Sequence, residues 1–507
     1  MSDNKRIAKN TLFLYFRMIL IMGVSLYTSR VILKVLGIDD YGLYNVVGGV
    51  VGMLSFISGT LSIGTMRFLT SELGKKDYPR LKTTFNTAFY THLWIGIILA
   101  VLLETIGLWF VYNKLVIPPD RFNAAVIAYH ISVLTSIVSI SQIPYTSLIM
   151  AHERMDVYAY VSIFEAVSKL LVVYLLTLAN YDKLVVYAFL VALVQALVAL
   201  WYVLFCVRKF NESRLGRIFD KSIFKSLLGF SGWNVMANLA ETLKLQGYLV
   251  LLNLFFQPFV VAAQTIGNQV SGAMMQFINN FRTAINPQII KLYAAGEYEE
   301  SKRLTMSTTV LVFDLVLLLG LPTVFVMNTI MNIWLVEVPP YAVVFTQFMI
   351  IQRILSTFDA SFYIPMMAEG KIKSNSILAS ISGPGLFVIL YLIFKLGGSV
   401  MWMQYTGLIV MVLFGFIIKP YLLVHDEKGY SYSDFGPCFL ACLKVSALAV
   451  GASFLFYKLI GNTTLLSSCF LFALSFLSVI VSSYVFMEKE MRMKLKTLIR
   501  QRLSPNK

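Results

Sequence analysis

Along its whole length the sequence alternates long apolar runs with short connections marked by charge, proline or glycine. A helix needs about 20 apolar residues to cross the hydrocarbon core. Inside that core every backbone polar group must be satisfied within the segment. Reading the runs against their breaks gives fourteen spans: 10–36, 42–70, 84–112, 122–150, 155–179, 184–207, 224–256, 258–290, 304–335, 339–367, 374–396, 399–424, 435–460 and 464–487. Fourteen crossings use about 300 residues, most of a chain of 507. Apolar types make up 58 % and charged types 13 %, against about 45–50 % and about 25 % in soluble domains. A disordered chain, a disulfide scaffold and an ordinary soluble enzyme are excluded. The expected fold class is an all-α polytopic membrane protein.

The formal net charge is +16, but the bases sit where membrane topology wants them and do not indicate a nucleic-acid partner. With the N-terminus inside, twenty-seven of the 42 Lys and Arg fall on the cytoplasmic side, six outside and nine within spans. The inner set includes Lys75, Lys76, Arg80, Arg208, Lys209, Arg214, Arg217, Lys302, Lys371 and the tail from Lys489 to Lys507. This bias places both termini in the cytoplasm. The first span follows Lys5, Arg6 and Lys9, exceeds a signal-peptide core and should remain as an anchor. No connection is long enough for a soluble domain. Gly370-Lys371 is followed by Ile372, without the glycine spacing of a P-loop. Cys206, Cys438, Cys442 and Cys469, with His92, His130, His152 and His425, form no ligand spacing. No metal, cofactor or catalytic set is expected.

A faint repeat recurs at an offset of about 220 residues, where 74–82 and 294–302 follow the second and eighth spans. Six intervening spans make it a parallel repeat, related by an axis along the membrane normal. The expected organisation is an N-terminal six-helix lobe at 1–207 and a basic cytoplasmic linker at 208–223. A second six-helix lobe at 224–424, two additional helices at 425–487 and a basic tail at 488–507 complete it.

Charge inside a span costs about 2.5–3.5 kcal/mol at the helix centre, so in-span charges face a partner or a wet cavity. The bases are Arg17, Arg30, Arg67, Lys169, Lys244, Arg282, Arg353, Lys419 and Lys444; acids include Glu104, Glu165, Glu241, Asp314 and Asp359. Gln264, Asn268, Ser271, Asn279 and Arg282 fall on one helical face, as do Asn234, Asn238, Glu241 and Tyr248, and Ser55, Ser58, Ser62 and Thr65. Arg17 and Thr28 share a stripe of the first span, with Arg30 nearby. These faces would line a polar chamber at the repeat interface, where transporters bind cargo. The alternatives are interhelical hydrogen bonding, local pairing of Glu165 with Lys169 and of Glu241 with Lys244, and snorkelling arginines. Gly48, Gly49 and Gly52 read as close helix packing. Pro144, Pro287, Pro322, Pro365, Pro384 and Pro420 would be hinges or static kinks. The tail, with Met491, Leu495 and Leu498 on one face, would lie on the anionic inner leaflet.

The stretch from Ser25 to Gly37, with Leu36-Gly37 followed by Asp40-Tyr41-Gly42-Leu43-Tyr44-Asn45, resembles the start of bacterial polysaccharide flippases. These belong to the multidrug/oligosaccharidyl-lipid/polysaccharide exporter superfamily. The resemblance implies two six-helix lobes around a central cavity, two extra helices, and export of lipid-linked oligosaccharide for O-antigen or capsule. It also implies cavity arginines that hold the lipid diphosphate, with Arg17, Arg30 and Arg282 as candidates in kind.

The expected function is therefore a secondary transporter of the bacterial inner membrane, moving a polyprenyl-diphosphate-linked oligosaccharide by alternating access. Arg17, Arg30, Arg67 and Arg282 would meet the diphosphate, whose oxygens suit planar guanidinium donors. Asn234, Asn238, Gln264, Asn268 and Asn279 would meet the sugars. Glu241, Asp314 and Glu165 are candidates for coupling an ion. Partners would be membrane lipids and, in the cell, a polysaccharide polymerase and assembly proteins. A cation-coupled multidrug antiporter of the same superfamily is the alternative within transport. A membrane-embedded polysaccharide-assembly enzyme or scaffold is the alternative outside it.

Overall fold

The structure is a computed structural model that describes residues 20–227, 239, 242–369, 373–487 and 492, apart from 153, 179 and 463. For some helical residues, Asn279 and Arg282 among them, it describes the backbone alone. Every regular element among the described residues is helical. In chain order these are α1 (Leu20–Leu36), α2 (Ile38–Gly52), α3 (Ser55–Gly74), α4 (Tyr78–Asn113), α5 (Phe122–Ala151), α6 (Met155–Leu175), α7 (Lys183–Lys209) and α8 (Tyr248–Phe255). There follow α9 (Pro258–Ala294), α10 (Tyr298–Phe325), α11 (Met327–Trp334), α12 (Ala342–Glu369), α13 (Lys373–Lys395), α14 (Trp402–Asp426), α15 (Tyr432–Ile460) and α16 (Leu465–Phe486).

Eight helices among the described residues are long and apolar enough to cross a membrane, nine if the bent pair α1 and α2 counts as one. The protein is thus a multi-pass membrane protein, but the fourteen expected spans are not all recovered by this measure. The shortfall has a physical cause. Helices such as α3, α9 and α12 carry Ser, Thr, Asn, Gln and charged side chains along their length, which lowers their hydropathy without breaking the helix. The first two expected spans also need correction. The chain bends by 116° between α1 and α2 at Gly37, whose φ of 83° suits a residue without Cβ. The expected span 42–70 is interrupted at Met53 and Leu54, between α2 and α3.

Two compact units emerge. The first comprises Met1–Ile266, Trp334–Ala342 and Ser376–Val400; the second comprises Gly267–Ile333, Val343–Asn375 and Met401–Lys507. In the first, Leu43, Val47 and Val50 of α2 pack with Ala100, Ala125, Tyr129 and Val133 of α4 and α5. In the second, Phe358 and Phe362 of α12 meet Phe416 of α14 and Phe435 and Phe439 of α15, with ring centroids 4.8–5.3 Å apart. Outer faces carry large exposed apolar side chains, Trp94, Ile106, Leu134 and Leu443 among them, the reverse of a soluble protein and the normal state in lipid. Pro144, Pro322, Pro365 and Pro384 all lie inside continuous helices.

One helix irregularity, invisible to periodicity, is explained by its partner. Residues Leu103–Gly107 of α4 form a π-helical turn. The Tyr129 hydroxyl of α5 donates to the Leu103 carbonyl at 2.7 Å, and a Cβ on Gly107 would collide with that same hydroxyl. The wide turn accommodates the phenol, and Gly107 makes room for it.

A charged clamp closes one end of the first unit. Arg121, before α5, donates Nε to Asp40 Oδ1 at 2.8 Å and Nη2 to Asp40 Oδ2 at 2.6 Å. It also donates Nη1 and Nη2 to Asp182 at 2.5 and 3.1 Å. Asp182 in turn caps α7, accepting from the Leu184 and Val185 amides. Burial works against ionisation of Asp182, but the Arg121 bonds and these amides outweigh it and hold its carboxyl below the usual carboxylate value. Its stabilising contribution is therefore full above the unfolded value of about 3.9 and is lost as pH falls through the lower folded value. Arg121→Ala should cost about 1–3 kcal/mol, the range for charged hydrogen bonds discounted for partial exposure. It should also flatten the acid limb of a melting-temperature profile measured in detergent. An unchanged acid limb would remove the clamp from the account.

Candidate functional site

The motif at the start of the chain becomes legible once its neighbours are known. Gly42 faces the backbone carbonyl of Pro258, the first residue of α9, and any Cβ there would overlap it. Asp40 is held by Arg121. Tyr41 is buried, and its carbonyl accepts from Asn45 Nδ2 at 2.7 Å. The Tyr44 ring meets Tyr187 of α7 edge-on, with centroids 4.7 Å apart. Gly49 and Gly52 carry the close packing expected of them, since a Cβ at either would touch Gln246. Gly48 has open space instead.

That space is a cavity of about 290 Å³ in the first unit, walled by α2, α3, α4, α5 and α7. Its polar lining consists of hydroxyls: Tyr44 from α2, Ser55 and Ser58 from α3, and Ser132, Thr135, Ser136 and Ser139 from α5. Ser132, Thr135 and Ser136 donate their hydrogens to the carbonyls of Ala128, Ile131 and Val133. Their lone pairs remain as acceptors. One turn farther along α5 and α7, Gln195 Nε2 donates to Gln142 Oε1 at 3.1 Å. The lining has no charged side chain and suits a ligand rich in hydroxyl donors.

The second unit holds charge instead. Arg353 of α12 donates Nε to Ser271 Oγ of α9 at 2.6 Å. Gln352 Nε2 donates to the Gln404 carbonyl of α14 at 3.0 Å. Farther along α12, Asp359 Oδ1 lies 3.1 Å from Lys419 Nζ of α14, and that ammonium stands 4.9 Å from the Tyr363 ring centroid. Along α12, a guanidinium and the carboxylate of an ion pair shared with α14 thus lie among hydroxyl and amide groups. Such a row can hold an anionic or hydroxylated ligand; it has no nucleophile with an adjacent base. Among the described residues no group of His, Cys, Asp and Glu side chains could hold a metal ion.

The residues expected from sequence fall in three classes. Arg17, Asn234, Asn238 and Glu241 lie outside the described residues, and Asn279 and Arg282 are described by backbone only. Arg30 is half-buried on α1, Arg67 exposed on α3, Gln264 buried and Asn268 half-buried on α9, each already engaged by a neighbour. Glu165 is bound to Lys169 Nζ at 2.6 Å, the local pairing that was its alternative. Asp314 lines a small pocket in the second unit. Two groups escaped the sequence reading. Ser132, Thr135, Ser136 and Ser139 occupy successive same-face positions of α5, a stripe that the count used for the second span would have found. Arg353 and the Asp359–Lys419 pair stood among the in-span charges without being singled out.

The sequence model of the polysaccharide biosynthesis protein family matches residues 7–293. No curated protein matches the sequence. Among solved structures, one described as the lipid II flippase MurJ in an inward closed conformation aligns with a TM-score of 0.70 at 12 % identity, over 96 % of this chain and 100 % of that one. The MATE multidrug transporter DinF-BH, solved in complex with R6G, aligns with a TM-score of 0.61 at 15 % identity, over 83 % and 95 %. An inward-facing MATE family transporter of the MOP superfamily gives 0.51 at 13 %, over 95 % of each chain. At these identities the likeness establishes the fold, and the family match spans more than half of the chain. The chain therefore belongs to the polysaccharide biosynthesis protein family, and it has the fold seen in these flippase and multidrug transporter structures.

Proposed function

We propose that the protein moves a lipid-linked oligosaccharide, an O-antigen or capsule repeat unit on a polyprenyl diphosphate, across the bacterial inner membrane by alternating access. The observation that carries this reading is the family match over 7–293. The fold shared with a lipid II flippase supports it. The hydroxyl-lined cavity of the first unit suits sugars, and Arg353 offers a guanidinium beside a hydroxyl.

The finer features belong to the same proposal. They are fourteen spans, lobes at 1–207 and 224–424 flanking the linker 208–223, extra helices at 425–487, and both termini in the cytoplasm. Arg17, Arg30, Arg67 and Arg282 would bind the diphosphate, and Asn234, Asn238, Gln264, Asn268 and Asn279 the sugars. A polysaccharide polymerase and assembly proteins would receive the product. Moving two negative charges outward across 100 mV, inside negative, is downhill by about 4.6 kcal/mol, so the membrane potential favours export.

The test is transbilayer movement of a fluorescent lipid-linked oligosaccharide in reconstituted vesicles. The wild-type protein should move it, and Arg17→Ala combined with Arg282→Ala should slow it at least about tenfold, as loss of charged hydrogen bonds worth about 1.5–3 kcal/mol each would. Equal rates at equal protein density would end the arginine assignment. The likeness to a MATE multidrug transporter favours drug antiport as the second reading. That reading predicts no glycan movement and increased drug sensitivity when the gene is deleted.

A further inference from the structure

The carboxylates that the sequence places inside spans are, with one exception among those described, matched to a base. Glu104 lies 2.8 Å from His130 Nδ1, Glu165 2.6 Å from Lys169 Nζ and Asp359 3.1 Å from Lys419 Nζ. Asp314 has no ion-pair partner among the described residues. It shares a pocket lining with the Ser483 hydroxyl of α16, and its Oδ1 is buried with no hydrogen-bond partner among the described residues. It looks into a pocket of about 80 Å³ lined by Ser307, Val310, Val445, Ser483 and Phe486. Ser307 already donates its hydrogen to the Leu304 carbonyl at 3.1 Å, so it presents lone pairs. The pocket has room for water.

Among the described residues, the groups around Asp314 supply no compensating charge. From α15 the Cys442 thiol, a free cysteine, lies within electrostatic reach of Asp314 and carries no positive charge. Past the end of α16, Arg492 folds back on the Val485 and Met487 carbonyls and over the Tyr484 ring. On α10 itself, Lys302 is taken by Glu299 and Asp434. An ionised Asp314 would therefore be a lone anion beside apolar walls, a state that membrane interiors disfavour strongly. A protonated one is neutral, and its O–H finds an acceptor in Ser307 or in pocket water. One carboxylate and two hydroxyls are too few oxygens to replace the hydration shell of a metal cation.

We propose that Asp314 is a proton-binding site, taking a proton from water at the pocket onto Oδ1 and returning it to water during the transport cycle. The protonation stands on this geometry alone; the return step rests on the transport reading.

The two parts are tested separately on the full chain in lipid nanodiscs and vesicles. Infrared spectra at about pH 5.5, above the ordinary carboxylate range, should show a carboxylic-acid carbonyl band. The band should vanish in Asp314→Asn, shift in Asp314→Glu and persist in Glu165→Gln. A wild-type spectrum with no band sensitive to either Asp314 change overturns the proposal, as does a band abolished by sodium chloride at fixed pH. In vesicles, an imposed pH gradient should raise the wild-type rate of lipid-linked oligosaccharide movement several-fold and leave Asp314→Asn unaffected. A normal gradient response in Asp314→Asn overturns the return step. A wild-type protein that moves no glycan overturns the transport reading and the return step with it, while the infrared result still decides protonation.

Discussion

Asp359→Ala is expected to be far more damaging than Lys419→Met, although the two changes break the same ion pair. The Lys419 side chain is only 3 % exposed and that of Asp359 33 %. Without the carboxylate, the ammonium is left in a nearly closed site beside the Tyr363 ring, without its anionic partner. Breaking a buried pair by removing one partner costs about 3–5 kcal/mol, because the charge left behind is uncompensated. Without the ammonium, the Asp359 carboxylate is still a third exposed. The melting midpoint of the purified protein should fall by on the order of 3–5 °C in Asp359→Ala, and by much less in Lys419→Met. The double variant Asp359→Ala/Lys419→Met should recover most of the loss. Equal effects of the single changes, adding without interaction in the double, would show that the pair is not coupled.

The second large effect concerns two glycines of one helix. Gly→Ala in a helix interior normally gains about 0.8–1 kcal/mol, and Gly48 has nothing within 4 Å of a new Cβ, so Gly48→Ala should be neutral or stabilising. Gly42→Ala puts its methyl into the Pro258 carbonyl. That oxygen belongs to the backbone at the start of α9 and cannot swing away as a side-chain tip would. Overpacking typically costs about 1–3 kcal/mol where side chains can shift; here the cost should reach or pass the top of that range, and Gly42→Leu should abolish folded protein in membranes. Fluorescence-detected gel filtration with melting curves would separate the two sites. Gly42→Ala as stable as Gly48→Ala would refute the close approach.

The same contrast shows why part of this protein can be read from its residues and part cannot. The positions of the helices follow from apolar runs, and the Glu165–Lys169 bridge follows from a spacing of four on one helix. Both depend on neighbours a few residues apart. The roles of Gly37 and Gly42 do not. Their letters mark a motif, but the reason for them is a bend at one and a carbonyl from Pro258 at the other. Counting hydroxyls on the second span found Ser55 and Ser58, yet their cavity is completed by α5, α4 and α7, which no periodicity places beside them. Arg121 was legible as an outer-side base. That it holds Asp40 and Asp182, 81 and 61 residues away, was not.

What the sequence determined by itself was the membrane class, the helical segments and the family resemblance, because hydropathy and helical period act over single turns and single spans. What only the tertiary structure decided was the fate of the in-span charges it describes: Asp359 neutralised by Lys419, Glu104 set against His130, Asp314 left without a base among the described residues. Which charges meet is fixed by which helices pack side by side. In a membrane most apolar faces are interchangeable, so packing geometry rather than hydropathy selects those neighbours.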